Sequence, residues 1–421
     1  MSEITKEEMR RGPIEAGGGK QQTLGEYVGA WWDRIRAGDL GSLPIIVGLI
    51  VIVAIFGYLS GGIFFRSRNF VNLLLQVSGI TAIATGVVFV LLIAEIDLSL
   101  AFVGAVGSVT MTLLLREGET DPNWPWWAAI GAAMLVTTII GLLHGVIITR
   151  AGVPSFVVTL AGLLAWSGVV LILTTQYSQA GTIVIQNPVV KGIANSFLPA
   201  VWGWAAYAVV IIGFAAAEFY QRLVKARQNL AVKPIEISLL QIVGLAAIAG
   251  AAVYYANQDR GVPSSIVIVL VFLFFWVFVA TRTRFGRYVY AVGGNPEAAR
   301  RAGINVDLIR ISCFMISSFM AGIGGIILAS RLGSVSTNTG GGNLLLNSIA
   351  AAVIGGTSLF GGTGRVTSAL LGALVIASVE NGMGLMGWNS GVKFVVNGLV
   401  LLAAVLVDAY SRRSRASSGI A

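Results

Sequence analysis

RTRFGRYVYAVGGNPEAARRAGINVDLIR, residues Arg282–Arg310, decides how this chain must be built. It is the longest charged, turn-rich segment of the sequence, and it separates two apolar runs, Ser264–Ala280 and Ile311–Ser330. It carries Arg282, Arg284, Arg287, Arg300, Arg301 and Arg310. At its centre the residues spell a short helix, with Asn295 as N-cap, Pro296 at the first helical position and Gly303 at C′. About two turns cannot cross a bilayer, which takes roughly 20 residues. The segment reads as a folded loop between two membrane spans.

The same reading extends outward to the whole chain. Of 421 residues, 56% are hydrophobic and only 11% charged, with a mean hydropathy of +0.83. A soluble domain carries about a quarter of its residues charged, so a water-soluble protein is excluded. The 53 glycines fit close helix packing in lipid, as in the four-residue pairs Gly57/Gly61, Gly141/Gly145 and Ala321/Gly325. The net charge of +9 lies mainly in short segments between apolar runs, so the positive-inside rule accounts for it and nucleic acid does not. One cysteine, Cys313, excludes an intrachain disulfide, and one histidine, His144, excludes a multi-histidine metal site. No metal, cofactor or catalytic residue is expected. The start of the chain does not read as a secretory signal.

Residues 1–43 are polar and are expected to form a mobile cytoplasmic arm, with Trp31 and Trp32 near the membrane interface. Twelve apolar segments follow in the membrane domain, residues 44–410. They are Pro44–Ile63, Val71–Ala94, Leu98–Leu115, Trp126–Thr149, Phe156–Thr175, Ala200–Phe219, Ile235–Ala256, Ser264–Ala280, Ile311–Ser330, Leu344–Leu359, Val366–Val379 and Gly391–Val407. Residues 411–421, with Arg412, Arg413 and Arg415, form a basic cytoplasmic tail. With the N-terminus inside, counting crossings places Arg150, the Arg222–Lys233 segment, Arg282–Arg310 and the tail on one side, the cytoplasmic one. Arg66 and Arg68 are exceptions. The fold class is an all-α polytopic membrane protein of about 10–12 transmembrane helices. Leu344–Leu359 and Val366–Val379 are short and read as broken or re-entrant segments around a glycine-rich turn.

That turn, Gly355-Gly356-Thr357-Ser358-Leu359-Phe360-Gly361-Gly362-Thr363-Gly364-Arg365, lacks the Gly-Lys-Ser/Thr ending of a phosphate loop. Gly19-Lys20 is followed by Gln21. If transport is driven by ATP, a separate subunit supplies the site. The turn either exposes backbone to a pathway or partner, or is a connector with glycines for close packing. Glu95-Ile96-Asp97-Leu98-Ser99 sets two carboxylates between apolar runs, where Asp97 either borders a solute path or N-caps the next helix. Ser78, Thr81 and Thr85 share one helical face; they either line a polar route or bond within the helices. His144 reads as a packed residue, and Glu218, Glu380, Lys393 and Asp408 as ordinary residues at span ends. Arg282–Arg310, basic, compact and rich in small residues, suits a groove on a soluble partner.

Four stretches carry a family resemblance: Ile96–Ser99, Gly152–Leu160 (GVPSFVVTL), Gly293–Arg300 (GGNPEAAR) and Ile354–Ser358 (IGGTS). In this order they resemble the sugar permease subunits of bacterial ATP-binding-cassette importers, which include ribose, galactose, arabinose and xylose permeases. The overlap runs from about Asn69 to Asp408. The chain length, the additional spans near 200–281 and Val379-Glu380-Asn381-Gly382-Met383 look most like the xylose type. The resemblance implies two permease copies in the bacterial plasma membrane, an extracytoplasmic sugar-binding protein and a cytoplasmic ATPase pair. It also implies that Asn295, Glu297, Ala298, Ala299, Arg300 and Gly303 form the segment that couples to the ATPase. Ser78, Thr81, Thr85, Asp97, Ser99 and Thr159 are the candidate sugar-path residues. Leu100-Ala101 departs from the Val-Gly usual after the Asp-Leu-Ser. Other readings remain at this point: a different sugar or a branched-chain amino acid, an ion-coupled carrier relying on Glu95 and Asp97, or a membrane enzyme.

Overall fold

The computed structural model describes residues 23–36, 41, 43–118, 121–228 and 230–417. Arg10, Arg11 and Lys20 of the arm and the last four residues lie outside the described residues.

The described chain runs α1 (Leu24–Arg36), α2 (Leu43–Leu59), α3 (Ser67–Leu92), α4 (Leu100–Leu114), α5 (Trp126–Arg150), α6 (Ser155–Tyr177), β1 (Thr182–Val184), α7 (Pro188–Asn195) and β2 (Phe197–Leu198). It continues with α8 (Ala200–Arg227), α9 (Ile235–Asn257), β3 (Val262–Pro263), α10 (Ser264–Arg282), α11 (Arg284–Gly294), α12 (Pro296–Arg301), α13 (Val306–Leu332) and β4 (Ser334–Ser336). The last three helices are α14 (Leu344–Ile354), α15 (Ser368–Leu385) and α16 (Ser390–Ser417). Eight of the helices are long and apolar enough to cross a membrane, and four shorter apolar stretches bring the set to the twelve segments expected.

Three expectations change. The stretch read as a mobile arm contains a helix, α1, closed by a reciprocal capping box in which Glu26 N donates to Thr23 Oγ1 and Thr23 N donates to Glu26 Oε2. The basic tail is not separate, since α16 continues to Ser417. Of the two segments read as half-helices only α14 is one. Its 11 residues rise about 16 Å, half the hydrocarbon thickness, whereas α15 extends over 18 residues.

Helices α3 and α13 form the centre, almost every residue of α3 from Val77 onward being buried. Small residues let them come close. Cβ atoms on Gly104 and Gly325 would overlap the backbone of α13 and α4 respectively, and one on Gly86 would sit 2.6 Å from Ser317 O. Gly141 and Gly145 meet α13 in the same way, but Gly61 belongs to a turn and packs against nothing. By contrast, α8 and α9 bury almost none of their residues, with Val209, Ile212, Leu240 and Ile248 facing outward. Apolar side chains that pack on no other part of a chain belong to the lipid boundary.

The connections sort into two ends. At one end β1 pairs with β4 and β2 with β3, Arg260 Nη2 reaches Asn72 Oδ1 at 2.7 Å, and Asn69 Nδ2 reaches Asn381 Oδ1 at 2.9 Å. At the other, Gly362 N bonds Leu92 O at 2.9 Å, Ile96 N bonds Ser155 Oγ at 3.2 Å, and Arg310 lies against Glu95. Each set contains only segments that crossing parity puts on one side, an agreement that does not use the positive-inside rule.

Candidate functional site

The Arg282–Arg310 segment folds as two short helices. Thr283 caps α11 through Gly286 N at 3.2 Å, and Asn295 Oδ1 accepts from Ala298 N at 3.0 Å at the start of α12. Gly303, at φ +81°, closes α12 with Gly303 N to Arg300 O and Ile304 N to Ala299 O, both 3.0 Å. This is the paired bonding of a left-handed glycine cap. Ala299 is buried and anchors the turn, while Asn295, Glu297, Ala298, Arg300 and Gly303 are exposed. Glu297 lies 3.2 Å from Arg300, which in turn reaches Asp307 at 4.0 Å. Leu308, which follows Asp307, is 57% exposed.

The glycine-rich turn is the floor on which this segment sits. A Cβ on Gly293 would overlap Leu92 O and lie 2.7 Å from Gly362 N, and Gly361 and Gly362 lie against Ala94 and Gly294. Tyr290 Oη donates to Gly364 O at 3.0 Å; burial pushes its phenol above the ordinary range, and the nearby Arg365 charge opposes this. Of the two readings of the turn, close packing holds, and the packing partner is the capped segment itself.

Glu95–Ser99 leaves α3 through Ala94, which is left-handed at φ +59° and closes the helix where glycine is usual. For alanine that conformation costs about 1–2 kcal/mol. Asp97 does not N-cap α4: its Oδ1 accepts from Ser99 N at 2.9 Å and from Ser99 Oγ at 2.6 Å, a local turn ahead of the helix. Burial raises the Asp97 carboxyl above its ordinary range, against those bonds. Trp166 Nε1 donates to His144 Nε2 at 3.2 Å, so that nitrogen is the acceptor and the ring proton sits on Nδ1. His144 Nδ1 then faces Ser99 Oγ at 3.4 Å, and Ser99 Oγ donates its own hydrogen bond to Asp97 Oδ1. The polar chain Trp166–His144–Ser99–Asp97 pins the loop to α5 and α6. Glu95 is paired as well, with Arg310 Nε 3.2 Å from its Oε1, at an angle that makes it an ion pair rather than a hydrogen bond.

Of the path candidates, Ser78 bonds Leu75 O and, at 3.2 Å, Ser265 Oγ of α10; Thr85 bonds Thr81 O; Thr159 bonds Ser155 O and, at 3.3 Å, Ile96 O. Thr81 Oγ1 is buried without a partner. All six candidates are buried in this conformation. The structure brings Asp97, Ser99 and Thr159 together around one loop and leaves Ser78, Thr81 and Thr85 apart on α3.

Residues 69–405 match the family described as branched-chain amino acid transport system permease components. The chain is 36% identical over 383 residues to the xylose transport system permease protein of Escherichia coli K12, covering 90% of this chain and 94% of that protein. The Haemophilus influenzae xylose transport system permease protein is 34% identical, covering 90% and 99%. The ribose import permease protein of E. coli K12 is 32% identical, covering 86% and 92%. The chain belongs to the sugar-permease group of this family. It is a transport subunit, not an enzyme. No solved structure matches it.

The permease also holds a polar cluster that reading the sequence passed over. Glu380, taken for an ordinary residue at a span end, accepts on Oε1 from Asn347 Nδ2 of α14 and, at 3.3 Å, from Asn397 Nδ2 of α16. Asn397 Nδ2 also reaches Asn347 Oδ1 at 3.3 Å. A cavity of about 330 Å³ opens beside them, walled by Asn343, Leu346 and Phe394. The available signal was two asparagines and a glutamate inside apolar runs, where polar side chains are expensive.

Proposed function

We propose that this permease imports D-xylose as the membrane subunit of an ATP-binding-cassette importer. Two copies form the pathway, with both termini and Arg282–Arg310 in the cytoplasm. A sugar-binding protein delivers the pentose outside. A cytoplasmic ATPase docks on α12 through Glu297, Ala298, Arg300 and Gly303. The observation that carries the substrate is the near full-length likeness to xylose permeases, at 34–36% identity against 30–32% for the ribose permeases. Ribose is the second reading for that reason.

The docking assignment is supported by shape. α12 is capped at both ends, displays small residues and a charged rim, and is latched through Gly293 to the end of α3. A force on α12 therefore reaches the central helix directly. No phosphate loop is encoded in the chain, which supports a contact of this kind as the route for the energy.

Deleting the gene and measuring labelled xylose, ribose and galactose uptake tests this. ATP depletion that spares the proton gradient separates an ATP-driven importer from an ion-coupled carrier. Loss of xylose uptake on deletion, and on ATP depletion, is expected; unchanged uptake in the first arm removes the substrate, and in the second the ATP-driven mechanism. Glu297→Lys is expected to abolish ATPase co-purification while the permease still reaches the membrane. Normal co-purification and transport remove the docking role.

A further inference from the structure

The coupling segment and the Asp97 loop leave one group of buried polar side chains unused. The cluster between α14, α15 and α16 stands out. Its cavity of about 330 Å³ lies at the lower end of the roughly 300–1,000 Å³ typical of small-molecule pockets, sufficient for a single sugar ring.

The hydrogen bonding fixes how the cavity is presented. Both possible partners of the Asn397 amide, Glu380 Oε1 and Asn347 Oδ1, are acceptors, so the amide nitrogen must face them. Its oxygen is thereby turned away. Asn397 is only 7% exposed, and its Oδ1 is buried with no hydrogen-bond partner among the described residues. An unmatched buried acceptor costs about 1–3 kcal/mol, and in hydrocarbon more. Asn397 lines the cavity, and a hydroxyl donor that reached this oxygen from it would remove that cost. Asn343 lines the mouth, and Phe394 presents a 53% exposed ring as an apolar wall. The amide groups of Asn343, Asn347 and Asn397 beside one aromatic face suit a neutral polyhydroxylated ring, which needs acceptors and donors together with C–H contact.

The position suits entry. Asn381, next to Glu380, bonds Asn69 at the end of the molecule that carries the β pairs, opposite α12. This is the end that would receive sugar from outside.

We propose that Asn397, with Asn347 and Glu380 positioning it, is a sugar-contact residue at the outer mouth of the translocation path. Asn397 Oδ1 accepts a hydroxyl of the incoming monosaccharide. The inference deepens the importer reading and rests on it.

Cells lacking the chromosomal gene and expressing the wild type or Asn397→Ala are compared for uptake of labelled D-xylose and its monodeoxy analogues. Wild type is expected to favour xylose over at least one analogue, and Asn397→Ala to lower that ratio about tenfold, the equivalent of one lost acceptor. The ratio is insensitive to expression or partial misfolding, and the binding protein's own preference cancels between the two permeases. An unchanged ratio for every analogue, with wild-type uptake intact, overturns the contact and leaves the importer reading standing. No sugar uptake by the wild type removes both. Phe394→Cys in a Cys313→Ala background is expected to react with a charged, membrane-impermeant thiol reagent added outside. Reaction with lipid-soluble reagents alone overturns the proposal, because the cavity then faces lipid.

Discussion

At the scale of single residues, the sharpest constraint is Gly293. Its α-carbon lies where a side chain would collide with Leu92 O and Gly362 N, both backbone atoms that cannot swing aside. Gly293→Ala should destabilise the permease by about 1–3 kcal/mol, as overpacking does, read as a lower melting temperature in detergent. Gly294→Ala is the control, since nothing lies within 4 Å of its added carbon; equal effects would show the latch has no energetic weight. Ser99 is the second such residue, because it alone joins His144 to Asp97. Ser99→Ala leaves both of those buried groups short of a partner and should cost about 1–3 kcal/mol. A change within a few tenths would mean that the polar chain does not hold the loop. In the sequence, Ser99 was visible beside Asp97 but His144 was not, since 45 positions separate them and the packing of α4 against α5 brings them together.

At the scale of elements, the caps of α12 could be read directly from Asn295, Pro296 and Gly303, because capping is local chemistry that tertiary packing did not override. What that reading could not give was the surface on which α12 rests. The turn Gly355–Arg365 and the segment Gly293–Gly294 are far apart in sequence, and glycine carries no pattern that names its partner. The same limit hid the Asn347–Glu380–Asn397 cluster, whose three members lie on three helices. If α12 transmits force, its rigidity matters separately from its surface charge. Asn295→Ala removes the cap and should loosen α12 by about 1 kcal/mol. ATPase co-purification should weaken without being abolished, and Asn295→Ser, which can still cap, should restore it. Failure of serine to restore binding would indicate that Asn295 acts as a contact rather than a cap.

At the scale of the whole molecule, periodicity and charge gave the number of apolar segments, but the hierarchy among them came only with packing. Composition could not tell α3, buried from Val77 onward, from α8, which buries almost nothing, because lipid and protein interior select the same side chains. Orientation is the property in which the two kinds of argument meet. Basic clusters assign sides through the positive-inside rule, whereas hydrogen bonds, strands and ion pairs sort the loops into two ends with no use of that rule. Their agreement makes the topology testable at two positions. Cys313 is buried and is the single cysteine, so a Cys313→Ala background is silent to thiol reagents. Glu117→Cys, at the end with the β pairs, should react in intact cells with an impermeant maleimide. Arg301→Cys, exposed on α12, should react only after the membrane is opened. The reverse pattern would invert the permease in the membrane, and α12 would then face away from the ATP that has to drive it.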